Sequence, residues 1–171
     1  MPFEKRRLFS DQQQGILADS QVCVAYFKAQ SGLTGSLGDF PLNQPTVVVA
    51  DDNPALLYQM VALMKSEFDV VATAENGLLA LKLARQHRPD VVVLDLWMPI
   101  VNGLEVARQL TQSASTARIV ICSVETDPEI IQSTKQAGAL GYVFKLSMTR
   151  DLVVAVKAAI RGEAFDSSLW A

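Results

Sequence analysis

DVVVLDL, residues 90–96, decides how this chain is read. Val91 to Leu94 are apolar without a break, so the run has no polar face to turn toward water. Strands of that kind lie in parallel sheets covered by helices on both sides. The run then ends on a carboxylate, Asp95, where burial without compensation would be costly. TVVVA, residues 46–50, repeats the pattern and runs straight into Asp51-Asp52.

Outward from these two runs the rhythm is regular. NPALLYQMVALMKSEF (53–68) has helical apolar spacing, with Asn53 placed as a cap and Pro54 at the first helical position. DVVATA (69–74) reads as extended, NGLLALKLARQH (76–87) as helical, and GLEVARQLTQ (103–112) as helical. ARIVICS (117–123) is extended. DPEIIQSTKQAG (127–138) is a helix capped by Asp127. ALGYVFK (139–145) is extended, and residues 148–161 are helical. Five strands alternating with five helices, joined by right-handed crossovers, predict an α/β fold: an open, doubly wound parallel sheet with helices on both faces.

In such a sheet the chemistry sits at the C-terminal strand ends. Here the first strand ends in Asp51-Asp52, the third in Asp95, the fourth in Ser123 and the fifth in Lys145. Three carboxylates ionise together only beside a cation. An all-oxygen site of this size suits Mg²⁺, or Mn²⁺ in its place, with phosphate oxygens completing the coordination. Lys145 adds a second positive charge and Ser123 a hydroxyl donor. The set is arranged for in-line phosphoryl transfer to a carboxylate.

On these motifs, residues 46–161 resemble the receiver domains of two-component response regulators. VVVADDNP resembles the acidic first-strand motif. VVVLDLWMPIVNGLE resembles the phosphorylation-site motif, with Asp95 as acceptor followed by Met98-Pro99 and Gly103. VICSVETD places the switch hydroxyl at Ser123, and GALGYVFK places the lysine at Lys145. Leu146 stands where many receivers have proline. With GALGYVFK and the later AAIRGE, it makes the chain most similar to receivers of the nitrate-regulator subfamily of helix-turn-helix transcription factors. The resemblance implies a flavodoxin-like five-stranded sheet of order 2-1-3-4-5. It implies Mg²⁺ held by Asp51, Asp52, Asp95 and the backbone carbonyl of Trp97. It also implies phosphorylation of Asp95 by a sensor histidine kinase, with Tyr142 as an aromatic switch that moves inward with the hydroxyl. Val124, where the family often has a smaller residue, is expected to narrow access for a phosphodonor.

The 171 residues carry 15 Lys and Arg against 18 Asp and Glu, a formal charge of −3. That balance argues against a chain whose main task is coating nucleic acid, and no direct DNA binding is expected of it. Cys23 and Cys122 lack metal-type spacing and read as free thiols. The N-terminal stretch has no apolar core of a secretory signal, and no run reaches membrane-spanning length, so a cytoplasmic location is expected. Residues 1–45, rich in Gln, Gly, Ser and Pro, read as an N-terminal extension or linker, with residues 16–28 open to a short helix or strand. Residues 46–163 form the expected receiver and 164–171 a tail toward an output domain absent from the chain, unless the receiver stands alone.

Leu57, Tyr58 and Val61 on the first helix, and Val154 and Ala158 on the last, lie off the predicted core faces, so a homodimer through these two helices is expected. Scattered exposed apolar residues read equally well. Two other functions compete with the switch. A degenerate receiver would act only as a protein-interaction module. An aspartate-nucleophile phosphatase would want a DxD motif, which adjacent Asp51-Asp52 does not supply. There is no GxxxxGK[ST] or GxGxxG for a nucleotide. The reading is of a signalling switch that assists its own modification, not of an enzyme turning over a metabolite.

Overall fold

The computed structural model describes residues 44–167. Expectations for residues 1–43, the 16–28 segment and Cys23 among them, lie outside the described residues, as do those for 168–171. The strands are β1 (Thr46–Ala50), β2 (Asp69–Ala74), β3 (Val91–Leu94), β4 (Arg118–Ser123), β5 (Ala139–Phe144) and β6 (Phe165–Asp166). The helices are α1 (Pro54–Met64), α2 (Gly77–His87), α3 (Gly103–Gln112), α4 (Pro128–Gln136) and α5 (Met148–Ile160). All neighbouring strands are parallel, in the order β2-β1-β3-β4-β5-β6.

The predicted order of the first five strands holds, and the chain adds a sixth. Phe165 and Asp166, expected in a tail, pair with Gly141 and Tyr142. Two contacts fasten this short strand. Phe144 N–H donates to Ser167 Oγ (2.8 Å), and Lys135 Nζ meets Asp166 at 2.6 Å. Both lie far from Phe165 in sequence, so residue patterning gave no sign of them.

The caps explain why the helices start where they do. Asn53 Oδ1 accepts the N–H groups of Ala55 and Leu56, Asn76 that of Leu79, Asn102 that of Glu105, and Asp127 that of Glu129. Each satisfies a donor that the helix itself leaves open.

Strand residues alternate between two apolar layers. Val48, Ala50, Val92, Leu94 and Ile121 face Leu81, Val106, Leu110 and Ile131 of α2, α3 and α4. Val47, Val49, Val91, Val93 and Val143 face Met60 and Met64 of α1 and Leu152 and Val156 of α5. Burying each such side chain stabilises by roughly 1.5–3 kcal/mol. Both faces of β1 and β3 are fully covered, as the unbroken apolar runs require.

The outer faces of α1 and α5 differ from expectation at one position. Tyr58 is 67% and Val154 50% exposed, and Leu57 and Val61 are half-buried. Ala158, expected on the open face, is buried. The reason is width: α5 contacts the sheet, α1 and β6, so its covered stripe is broader than a single sheet-facing row. His87 is half-buried, with Nε2 enclosed and without a hydrogen-bond partner.

Candidate functional site

The ends of β1 and β3 are neighbours because those strands pair, Ala50 lying opposite Leu94. Backbone bonds then fix the carboxylate-bearing residues: Asp51 N–H donates to Ala74 O (3.0 Å), and Asp95 N–H to Ala50 O (2.8 Å). Asp51 and Asp95 are buried, and Asp52 is exposed. One oxygen from each of the three lies within 4.8 Å of the others.

Lys145, the first residue of a 3-10 turn (Lys145–Ser147) after β5, reaches into this cluster. Its Nζ stands 2.7 Å from Asp51 Oδ2 and 3.0 Å from Asp95 Oδ1. Burial works against the Lys145 charge, but the two carboxylates outweigh it and hold the ammonium above its ordinary pKa. Burial pushes the Asp95 carboxyl above its ordinary value. Lys145 pulls it back, Asp51 pushes it up again, and a backbone hydrogen bond at Leu96 lowers it, for a net rise.

Asn53 has a second use beyond capping: its N–H donates to Asp51 Oδ1 at 2.8 Å. That leaves Asp51 Oδ2 fully buried with the Lys145 charge beside it and no aligned hydrogen-bond donor. An acceptor with spare capacity, next to two more carboxylates, fits a hard divalent cation. Asp51, Asp52 and Asp95 would hold it. The side chain of Trp97 is exposed, in the loop after β3.

Ser123 closes β4 opposite Phe144, the residue before Lys145. Its Oγ accepts Glu125 N–H at 3.3 Å. Tyr142 points inward and is buried, with its hydroxyl donating to Glu125 O at 2.8 Å. Burial pushes the phenol up to about 12, against the pull of a hydrogen bond with Ser123. Tyr142 also packs edge-on to Phe144, with centroids 5.6 Å apart. Ser123 and Tyr142 are thus joined through the Glu125 backbone. Burial drives the Cys122 thiol, beneath the cluster, up to about 12, which keeps it a thiol.

Two glycines hold the site's frame. A Cβ on Gly103 would fall 2.1 Å from Asp95 O, and one on Gly77 would fall 1.9 Å from Val101 O. Only glycine lets α3 start against the end of β3, and α2 against the following loop. Gly103 belonged to the quoted motif. Gly77 had no sequence signal beyond following a capping asparagine. Between them Ile100 takes a φ of 71° while 73% exposed, an uncommon backbone for a β-branched residue.

A doubly wound sheet with an acid cluster and a lysine at its C-terminal edge defines a class of aspartate-centred α/β domains. Comparison with known proteins names the family. The response regulator receiver domain matches residues 47–157. The transcriptional regulatory protein DegU of Brevibacillus brevis is 32% identical over 125 residues, covering 72% of this chain and 53% of DegU. Protein PilH of Pseudomonas aeruginosa is 34% identical over 118 residues, covering 68% of this chain and 98% of PilH. Among solved structures, the signal receiver domain of the response regulator NarL from Mycobacterium tuberculosis has a TM-score of 0.69 at 32% identity, covering 71% of this chain and 99% of that one. The chain belongs to the response regulator receiver domain family. It spans about half the length of DegU and nearly all of PilH. No described helix is long and apolar enough to cross a membrane.

Proposed function

We propose that the chain is a Mg²⁺-dependent phosphoryl-accepting switch, with Asp95 as the acceptor and a sensor histidine kinase as donor. The observation that carries this is Lys145 bridging Asp51 and Asp95 at 2.7 and 3.0 Å, within a cluster whose third carboxylate, Asp52, brings an oxygen within 4.8 Å of theirs. A carboxylate oxygen of Asp95 attacks phosphorus as the P–N bond to the donor histidine breaks. The electron pair leaves with the imidazole, which takes up a proton, and Asp95 becomes an acyl phosphate. Bound Mg²⁺, or Mn²⁺, on Asp51, Asp52, Asp95 and the Trp97 carbonyl would neutralise phosphoryl oxygens. Lys145 and Ser123 supply the protein's own contacts to those oxygens. Movement of Ser123 toward the phosphoryl group frees the Glu125 backbone link, and Tyr142 transmits the change to the β4–α4 surface.

The receiver extends over 46–163, with Phe165–Asp166 added to its sheet as a sixth strand. Control of transcription through an output domain is supported by relatives such as DegU, whose length exceeds the matched region. A cytoplasmic location follows from that role. A homodimer through α1 and α5 rests on exposed Tyr58 and Val154, with Leu57 and Val61 alongside. Sedimentation showing a monomer at high concentration, with and without a phosphoryl mimic, removes it.

The test of the main reading is mass spectrometry after incubation with acetyl phosphate and Mg²⁺. One added phosphoryl group is expected, absent in Asp95→Asn and lost on adding EDTA beforehand. No adduct with any donor would leave an interaction module without phosphoryl chemistry.

A further inference from the structure

Several other surface cations are held by acids: Arg108 by Glu105, Lys135 by Asp166, Lys157 by Glu67 and Arg161 by Glu163. Lys82 and Arg85 make no ion pair among the described residues. Both line an open groove of about 500 Å³ between α2 and α3. Its other walls are Leu78, Leu81, Gln86 and Gln109, and none of its lining residues is an acid. Leu78 is 55% exposed while Leu81 is buried, so the groove has an apolar floor open to solvent. Leu78, Lys82 and Arg85 follow one another at helical spacing of four and three and therefore share a face.

We propose that this groove docks an acidic, amphipathic helix of a partner protein. Apolar side chains of the partner seat on Leu78 and Leu81, and its carboxylates meet Lys82 and Arg85, a helix-in-groove arrangement. Charge selects this occupant. A second copy docked through the same face would set Lys82 and Arg85 against their own equivalents, because a two-fold interface repeats one patch on both sides. Nucleic acid is disfavoured by the exposed leucine floor and by a chain charge of −3. The groove lies on α2 and α3, while the acid cluster is carried by the ends of β1 and β3 and its lysine follows β5, so the docking site is separate from Asp95.

The probe is a fluorescein-labelled helical peptide of about 16 residues, long enough to hold a helix. It carries Leu at i, i+4 and i+7 with Glu flanking them, and fluorescence anisotropy follows its binding to the full chain. Saturable binding is expected. The double variant Lys82→Glu/Arg85→Glu should weaken it at least about tenfold, because two attractions become repulsions. Leu78→Ser should weaken it about threefold or more. Amide shift changes should centre on α2 and Gln109. Acetyl phosphate labelling of Asp95 should persist in the double variant, so failure of docking is separable from failure of the phosphoryl reading. Absence of saturable binding overturns the proposal. So does equal binding of a Gln-for-Glu peptide, insensitivity to the charge reversal, or tighter binding of duplex DNA.

Discussion

Replacing Lys145 with Met should destabilise the domain sharply without metal and much less with it. The Lys145 side chain is 10% exposed and ion-paired to two carboxylates whose side chains are 0% and 5% exposed. Methionine keeps the length and removes the charge, leaving two buried carboxylates side by side. Removing one partner of a buried pair costs about 3–5 kcal/mol. A separate limit comes from protonation. Neutralising one carboxyl of ordinary pKa at pH 7 costs about 4 kcal/mol, which caps the penalty because the site always has that escape. With an unfolding entropy of about 2.1 cal/mol/K per residue, a loss near 3 kcal/mol lowers the Tm of a domain this size by about 12 °C. The assay is thermal and urea unfolding at pH 7 in EDTA and in excess Mg²⁺. A cation at a hundred times its Kd restores about 2.7 kcal/mol, so Mg²⁺ should narrow the gap in the variant.

The pH dependence has a definite sign. The folded-state pKa of Asp95 is raised, so stability is fully present below the ordinary carboxylate value and is lost as pH rises from there through the raised value. Without Lys145 the Asp95 carboxyl loses the charge that pulls it back and rises further, so the loss in Lys145→Met continues to higher pH. A variant within about 1 kcal/mol of the parent in EDTA at pH 7 would refute the reasoning, since that is the ceiling for a solvated surface pair. An equal Mg²⁺ effect in both proteins would refute the cation site.

Three other outcomes follow from single contacts. Gly103→Ala should cost about 3 kcal/mol in urea unfolding and slow phosphoryl acceptance, because the new Cβ collides with the Asp95 carbonyl and overpacking of this kind has no side-chain relief. Ile100→Asn should stabilise by about 1 kcal/mol, since asparagine tolerates positive φ and the isoleucine is mostly exposed; no gain in Tm would mean that its side chain makes a compensating contact. Tyr142→Phe should lose about 1 kcal/mol with its bond to Glu125 O. Ultraviolet titration of the parent should place one phenol near 12, and stability should fall as pH rises from 10 toward that value; titration of every tyrosine near 10 would contradict the buried phenol.

Much of the site was legible from strand ends. Asp51, Asp95, Ser123 and Lys145 each follow an apolar run, and a doubly wound sheet collects such positions at one edge whatever the rest of the chain does. The helix starts were equally local, because Asn53 and Asp127 cap within their own turn. Other features depended on partners distant in sequence. Asp51 and Asp52 are adjacent and identical in type, yet one is buried against Lys145 and the other exposed. Ala158 looked open because helical periodicity describes one covered stripe, whereas α5 is covered by the sheet, α1 and β6 together.

The sequence by itself determined the order of strands and helices, the two-faced burial of the sheet and the identity of the residues at its reactive edge. Periodicity, apolar runs and caps act over a few residues, so they survive in a one-dimensional reading. Only the tertiary structure decided that Lys145 bridges two carboxylates, that Asp51 is fully buried beside it, that Gly77 and Gly103 admit neighbouring backbone, and that Phe165–Asp166 extends the sheet. Most of these are contacts between segments tens of residues apart, and the Gly103 contact with Asp95 spans a loop that sequence patterning does not place. Their energy depends on distance and burial, which exist only once the strands have paired.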